Sequence, residues 1–281
     1  MKPLLTFLFC FTTLNFILPQ QKDTILYKWI PTAATGLNIN QIALGNWTRG
    51  GDNAISWTLS GTLGLKYLTD DWGFKNNLNL SYGRTKLGGA DFITNDNDFY
   101  LETVLSRKIN WAVDPYISNT IRTPITTGYN YKVSPVVSIA DFLDPGYLTQ
   151  SIGFVYNKVS GFTSRLGFAV QEVFTKKYSA LYNIDPESGV VKNFRVETGL
   201  ESVSTAEYTI AENLLYKGNL RLFTRYKSLD VWDVRWDNAL IAKINDFLNV
   251  NLTYLFIYEK AQSPTAQMKE SLQLGFTYAI L

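Results

Sequence analysis

The chain has 281 residues, with 26 Lys plus Arg against 24 Asp plus Glu for a net charge of +2. That balance lacks the clustered basic footprint a nucleic-acid partner requires. Histidine is absent and the only cysteine is Cys10, which removes Ser-His and Cys-His nucleophile pairs, the commonest metal ligand and any disulfide framework. Aromatic residues make up 15% of the chain, yet mean hydropathy is close to zero. A soluble core rarely has that combination; a surface shared between lipid and water commonly does.

The first segment, MKPLLTFLFCFTTLNFILPQ, places one Lys before an apolar stretch that is too short to span a membrane and suits a secretory signal. We take residues 1–21 as the signal peptide and 22–281 as the mature domain, which then holds no cysteine. No later apolar run is long enough for a membrane helix, so any crossing must be made by strands.

A less regular strand near 35–44 leads into GNWTRGGDN, Gly45 to Asn53. Asn46-Trp47-Thr48 is a glycosylation sequon, and Gly50-Gly51 has the look of a phosphate cradle. Such a cradle leads into a helix, whereas this one leads into a strand. A turn is the reading that remains, with Gly50 and Gly51 free to take positive φ and Trp47 near an interface.

Ile55 to Tyr67 alternates strictly: Ile55, Trp57, Leu59, Leu63, Leu65 and Tyr67 on one face, Ser56, Thr58, Ser60, Thr62 and Lys66 on the other. This is a long strand with one apolar and one wet face. The pattern returns from Trp72 to Tyr82, then along segments running through Leu148–Tyr156, Phe162–Phe174, Phe194–Ile210, Leu214–Tyr226, Trp232–Ile244, Leu248–Tyr258 and Leu272–Ile280. Weaker stretches near 98–109 and 113–123 bring the total to about twelve. Asn76 and Asn238 would point to the apolar side, implying a register slip or contact with another protein.

Links alternate between tight turns (69–71, 110–112, 157–161, 211–213, 245–247) and mostly longer loops (46–53, 87–97, 124–147, 175–191, 259–267), with one short exception near 228–230. This is the plan of an all-β, single antiparallel transmembrane β-barrel with short periplasmic turns and longer outer loops. Ten residues between aromatics rise roughly 25 Å, the height of a bilayer-facing band. The expected girdles are Tyr67, Trp72, Tyr156, Phe162, Tyr208 and Tyr278 on the periplasmic side. Trp57, Tyr82, Phe174, Phe194, Tyr226, Trp232 and Tyr258 form the outer one. A soluble barrel of this size, apolar side inward, would leave a void.

The wet face is densest in charge between 195 and 243: Arg195, Glu197, Glu201, Glu207, Lys217, Arg221, Arg225, Lys227, Asp233, Arg235, Asp237 and Lys243. A three-residue turn at 211–213 sets Glu207 opposite Lys217 and Glu197 opposite Lys227. A loop at Ser228-Leu229-Asp230 would set Arg225 opposite Asp233 and Arg221 opposite Asp237, avoiding the cost of facing like charges. The network serves either to fill and neutralise the lumen or to line a polar-solute path; its mixed signs oppose strong ion preference. The carboxylates Glu197, Glu201 and Asp233 are the remaining catalytic options, and any lumen holds such acids. Asp91, Asp96 and Asp98 fall in an acidic loop that does not match the EF-hand spacing. We expect no enzyme, cofactor or metal. The alternatives are a lipid-handling enzyme and a soluble ligand-binding barrel. The 124–147 loop would fold into or over the lumen.

Taken in order, GNWTRGGDN, SYGRTKLGG, DFLDPGYLTQSIGF and the run of C-terminal hairpins resemble an uncharacterised outer-membrane β-barrel family of Bacteroidetes/Chlorobi-type bacteria, domain of unknown function 3078. The resemblance implies a Gram-negative outer-membrane location, contact with outer-membrane lipid and insertion by the barrel-assembly machinery, and it supplies no activity or site residues. The end, FTYAIL, is similar to the signal that machinery reads, although it closes on Leu281 and not on an aromatic.

Overall fold

The computed structural model describes residues 26–46, 51–184, 189–260 and 265–280; the expected signal peptide, Trp47 and Gly50 lie outside them. The chain is built from strands β1 (Trp29–Ile42), β2 (Ala54–Leu68), β3 (Trp72–Leu87), β4 (Ile93–Arg107) and β5 (Asp114–Thr123). A small hairpin follows, β6 (Gly128–Asn130) and β7 (Val137–Ala140). Then come β8 (Gly146–Val159), β9 (Phe162–Phe174), one turn of helix α1 (Ser179–Tyr182), β10 (Phe194–Ala211), β11 (Leu214–Arg225), β12 (Ser228–Lys243), β13 (Leu248–Tyr258) and β14 (Gln267–Ala279). Twelve strands, all but β6 and β7, close into one antiparallel barrel in chain order, β1 pairing with both β2 and β14.

Period two decides which way each side chain points. Tyr116, Ser118, Ser151, Ala169, Val173, Glu201 and Phe223 are buried inside, while Ile117, Ile152 and Phe168 on the same strands are 53%, 60% and 65% exposed outside. An inverted barrel of this kind puts its apolar surface toward a non-aqueous surrounding, because exposing so much in water is unfavourable. One rim carries the links 69–71, 108–113, 160–161, 212–213 and 244–247; the other carries 43–53, 88–92, 124–145, 175–193, 226–227 and 259–266. The short-turn and long-loop rims are thus as expected. The 88–92 link is shorter than the sequence suggested, because β4 continues up to Ile93 and takes Asp96 and Asp98 into the sheet.

The register of β10 with β11 is the expected one, with Glu207 opposite Lys217. That of β11 with β12 is not. Arg221 lies directly across from Arg235, and the turn is Tyr226-Lys227, with Arg225 opposite Ser228. The register slips between Thr224 and Arg225, leaving Leu229 to Val231 as a bulge on β12. The buried Thr224 hydroxyl donates to the carbonyls of Ser228 (3.2 Å) and Val231 (2.9 Å), pinning that bulge. A bulge stores extra residues in one strand, and parity alone cannot forecast one.

Asn76 and Asn238 do face outward, and neither marks a slip. Asn76 Nδ2 donates to Thr103 Oγ1 at 2.7 Å, and Asn238 Oδ1 accepts from Tyr216 Oη at 2.7 Å. In the 43–53 loop, Gly51 has φ +105° and Asn46 has φ +52°, while Asn53 Oδ1 accepts the Leu44 N–H at 2.6 Å. The segment is a turn whose described ends are held by an Asn side chain.

Candidate functional site: the charged lumen

Two groups of charged side chains cross the inner face. In the first, Glu201, 1% exposed, accepts from Arg221 Nε at 2.7 Å. Arg221 Nη2 continues to Gln171 Oε1 (2.9 Å) and Thr149 Oγ1 (3.4 Å), reaching from β11 to β8 past β10 and β9. Glu197 receives Arg225 Nε (2.6 Å) and Gln171 Nε2 (3.1 Å), with Arg195 Nε at 3.4 Å. Arg225 Nη2 also reaches Asp233 Oδ2 at 2.7 Å, so the pairing expected from a different register is met along a diagonal. Beneath the two guanidinium groups lies the fully buried Phe223 ring, with centroid distances of 5.4 Å to Arg221 and 5.5 Å to Arg225. Cations over a desolvated ring face are held by its quadrupole.

The second group was not legible from the charge-dense segment, because its members sit on β4, β5 and β9. Arg165 of β9 bonds Glu102 of β4 across β8 and β5, and Tyr100 Oη donates to Glu102 Oε1 at 3.0 Å. Arg122 grips Asp98 through Nε (3.0 Å) and Nη2 (2.8 Å). The available signal was parity, since each occupies an inward position of an alternating segment. Arg235 binds its own strand neighbour Asp237 with two bonds of 2.8 and 2.9 Å, which tempers its contact with Arg221.

Not every expected member joins. Glu207 and Lys217 pair at 3.2 Å but are about half exposed. Lys227 lies in the turn just past Tyr226, whose N–H donates to the Thr198 carbonyl of β10 at 3.0 Å, and Lys243 is exposed at the end of β12. Asp96 pairs with Lys269 of β14 at 3.3 Å, a bridge that passes over β1, β2 and β3. Among the described residues no group of three or more His, Cys, Asp or Glu is arranged to hold a metal ion.

Between these groups and the long-loop rim lies a cavity of about 260 Å³. Tyr100, Arg122, Tyr147, Arg221, Arg235 and Glu259 line it, with Pro124, Ala140 and Pro145 above. The 124–145 loop therefore folds over the lumen. It is tied down by Asn97 Oδ1, which accepts the N–H groups of Ile125 (2.9 Å) and Thr126 (3.0 Å), and by Asp144, which accepts those of Lys176 (3.0 Å) and Lys177 (2.7 Å). Burial pushes the Glu259 carboxyl above the usual range, and nearby Asp233 adds to the rise. The opposite wall is mostly small and uncharged, with Gly36, Asn38, Thr58, Ser60, Gly64, Asn77, Asn79 and Gly275 at inward positions of β1, β2, β3 and β14, but it also carries Lys66 opposite Lys75 and, on β14, Lys269.

The expected girdle residues lie toward the strand ends. Trp57 meets Tyr82 edge-on at 5.9 Å, Phe174 meets Phe194 at 5.1 Å, and Tyr226 meets Phe168 at 6.4 Å. Trp232 is exposed near the start of β12 and Tyr258 ends β13. At the other rim Trp72 opens β3 beneath Arg107 (5.5 Å), and Tyr156 and Phe162 flank the 160–161 turn. Tyr208 lies opposite Tyr216 near the end of β10. Tyr67 packs on Trp29 at 4.7 Å and Tyr278 stacks on Phe247 at 6.4 Å; Trp29 and Phe247 were not among the expected aromatics.

No curated protein matches the sequence. Solved structures similar to it include the translocator domain of autotransporter NalP from Neisseria meningitidis, at 10% identity over 89% of this chain and 87% of that one, TM-score 0.38. An outer membrane channel from Pseudomonas putida F1 is 13% identical over 89% and 94%, TM-score 0.39. The toluene transporter TbuX from Ralstonia pickettii is 10% identical over 89% and 88%, TM-score 0.30. These likenesses carry no inference about activity. The model of the family described as "Protein of unknown function (DUF3078)" matches residues 39–129, which bears out the motif resemblance over the stretch from β1 to β6.

Proposed function

We propose that this chain is an integral outer-membrane barrel of a Gram-negative bacterium that passes small polar solutes through a narrow lumen, closed at rest, without a catalytic step. The observation that carries this reading is a cavity of about 260 Å³ beneath the 124–145 loop, walled by Tyr100, Arg122, Arg221, Arg235 and Glu259 from β4, β5, β11, β12 and the link after β13. Its lining mixes both signs with tyrosines, which suits an uncharged or zwitterionic polyhydroxyl solute over a simple ion. Residues 1–21 export the chain, the insertion machinery reads its end, and the aromatic ends of the strands sit at the lipid headgroups.

Conductance of the refolded protein in planar bilayers tests the channel. The wild type is expected to give small, infrequent steps. Replacing Arg165 and Glu102 together by Ala, which removes a bridge across the lumen, is expected to enlarge them. Silence from both proteins in a correctly folded state would overturn it. A second reading, a structural barrel, is favoured by the Arg165–Glu102 ion pair and the Arg221–Thr149 hydrogen bond, each of which reaches past two intervening strands and braces the wall.

A further inference from the structure

One row of the outer face breaks the apolar surface. Asn76 on β3 is opposite Thr103 on β4, Thr103 is opposite Asn119 on β5, and Asn119 is opposite Gln150 on β8. The row ends where Leu65 precedes it on β2 and Val170 follows it on β9. All four side chains point outward, because Ser118, Thr120, Thr149 and Ser151 beside them are buried within the lumen. Above and below stand apolar residues: Leu101 and Leu105 around Thr103, Ile117 and Ile121 around Asn119, Ile152 below Gln150.

The row lies at middle depth. Asn76 is four residues along β3 from Trp72 and six short of Tyr82, and Gln150 is six residues short of Tyr156 on β8. Only Asn76 and Thr103 satisfy each other. Asn119 and Gln150 are exposed, and neither side chain has a hydrogen-bond partner among the described residues. Hydrocarbon offers nothing to an amide, so leaving two of them there is unfavourable. Asn238, on the far side of the barrel, differs in that its Oδ1 accepts from Tyr216 within the chain and its Nδ2, which has no partner among the described residues, is buried.

We infer that the face formed by β3, β4, β5 and β8 binds a second copy of this chain within the membrane, with Asn119 and Gln150 bonding their counterparts. A carboxamide carries both donor and acceptor. A row ending in two of them is self-complementary, which a two-fold contact demands because the same patch serves both partners. Four strands at about 4.8 Å spacing and a band about 25 Å tall offer on the order of 500 Å² per copy. Doubled, that reaches the roughly 1,000 Å² a specific interface needs. Interhelical amides act as such glue in helical membrane proteins; here the carrier is a sheet.

The only cysteine, Cys10, lies in the leader, so cysteines can be added singly. In isolated outer membranes, Asn119→Cys treated with a short bis-maleimide is expected to give a covalent homodimer. Leu252→Cys, on β13 across the barrel, is expected to give about tenfold less, a discrimination equal to one or two membrane amide bonds. Ile117→Cys, one pleat lower on the same face, repeats the test without removing an amide. N119L/Q150L should lose the dimer while keeping the heat-modifiable mobility of a folded barrel. Monomer alone from both seam cysteines, equal cross-linking from Leu252→Cys, or cross-links to a different protein would each overturn the proposal.

Discussion

At the residue scale, stability turns on buried charge. Glu201 is almost wholly enclosed, and its one ion partner among the described residues is Arg221. Removing one member of such a pair strands the other without water. Arg221→Met is therefore expected to lower unfolding free energy by about 3–5 kcal/mol, read from the urea midpoint in lipid vesicles, and E201Q/R221M should recover most of the loss. Glu259 argues in the opposite direction. It lies just beyond β13, and its carboxyl titrates above the ordinary value because burial disfavours the charge. A raised carboxyl favours the folded state at pH below its unfolded value, and that contribution disappears as pH rises through the folded value. Glu259→Gln should match wild type at low pH and exceed it at neutral pH, as unfolding curves at both would show. Gly167 gives a third case. A Cβ there would sit 2.7 Å from Tyr116 Oη and 2.5 Å from the Ile152 carbonyl, so Gly167→Val is expected to cost about 1–3 kcal/mol by overpacking in the same assay.

At the element scale, alternation was legible and register was not. The parity of Ile55–Tyr67 follows from the pleat, and the face of nearly every inward charge followed from it. The expectation that Arg225 faces Asp233 failed for a local reason. Thr224 binds two carbonyls of β12, and its bulge moves the pairing so that Arg221 meets Arg235. The salt links survive because arginine is long enough to reach diagonally. Thr224→Val, which keeps shape and removes the donor, is expected to cost about 1–3 kcal/mol. It should also speed hydrogen exchange at Leu229 to Val231, and unchanged exchange there would refute the pinning role. The Arg165–Glu102 pair escaped the sequence reading because β9 and β4 are far apart in the chain and meet only where the sheet curves past β8 and β5; Arg122 and Asp98 lie on neighbouring strands but join on a diagonal, Arg122 being opposite Tyr100.

At the scale of the whole molecule, the sequence carried the strand number and the rim assignment, since both are local patterns repeated. It could not carry closure. The β1–β14 ladder has six paired positions, Ala34 to Ile39 against Ala279 to Leu274, while β1 and β2 share fourteen. Amides of β14 should exchange faster than those of β3, measured by hydrogen exchange in nanodiscs, because the closing ladder opens at the smallest cost. Equal protection would show that lumen side chains such as Asn38, bonded to Asn251 at 2.7 Å, carry the closure instead.

The bridge from Lys269 to Asp96 also bears on the shape of the opening. In a round section of twelve strands, positions four strands apart would lie about 20 Å from each other at the usual spacing and tilt. A lysine and an aspartate in contact span little more than about 13 Å between backbones. Since the two meet at 3.3 Å, the barrel is oval near its outer end, pressed in between β14 and β4. On the channel reading the opening is a slot and not a hole. A slot ranks solutes by their thinnest dimension, so a flat ring would pass ahead of a branched molecule of equal mass.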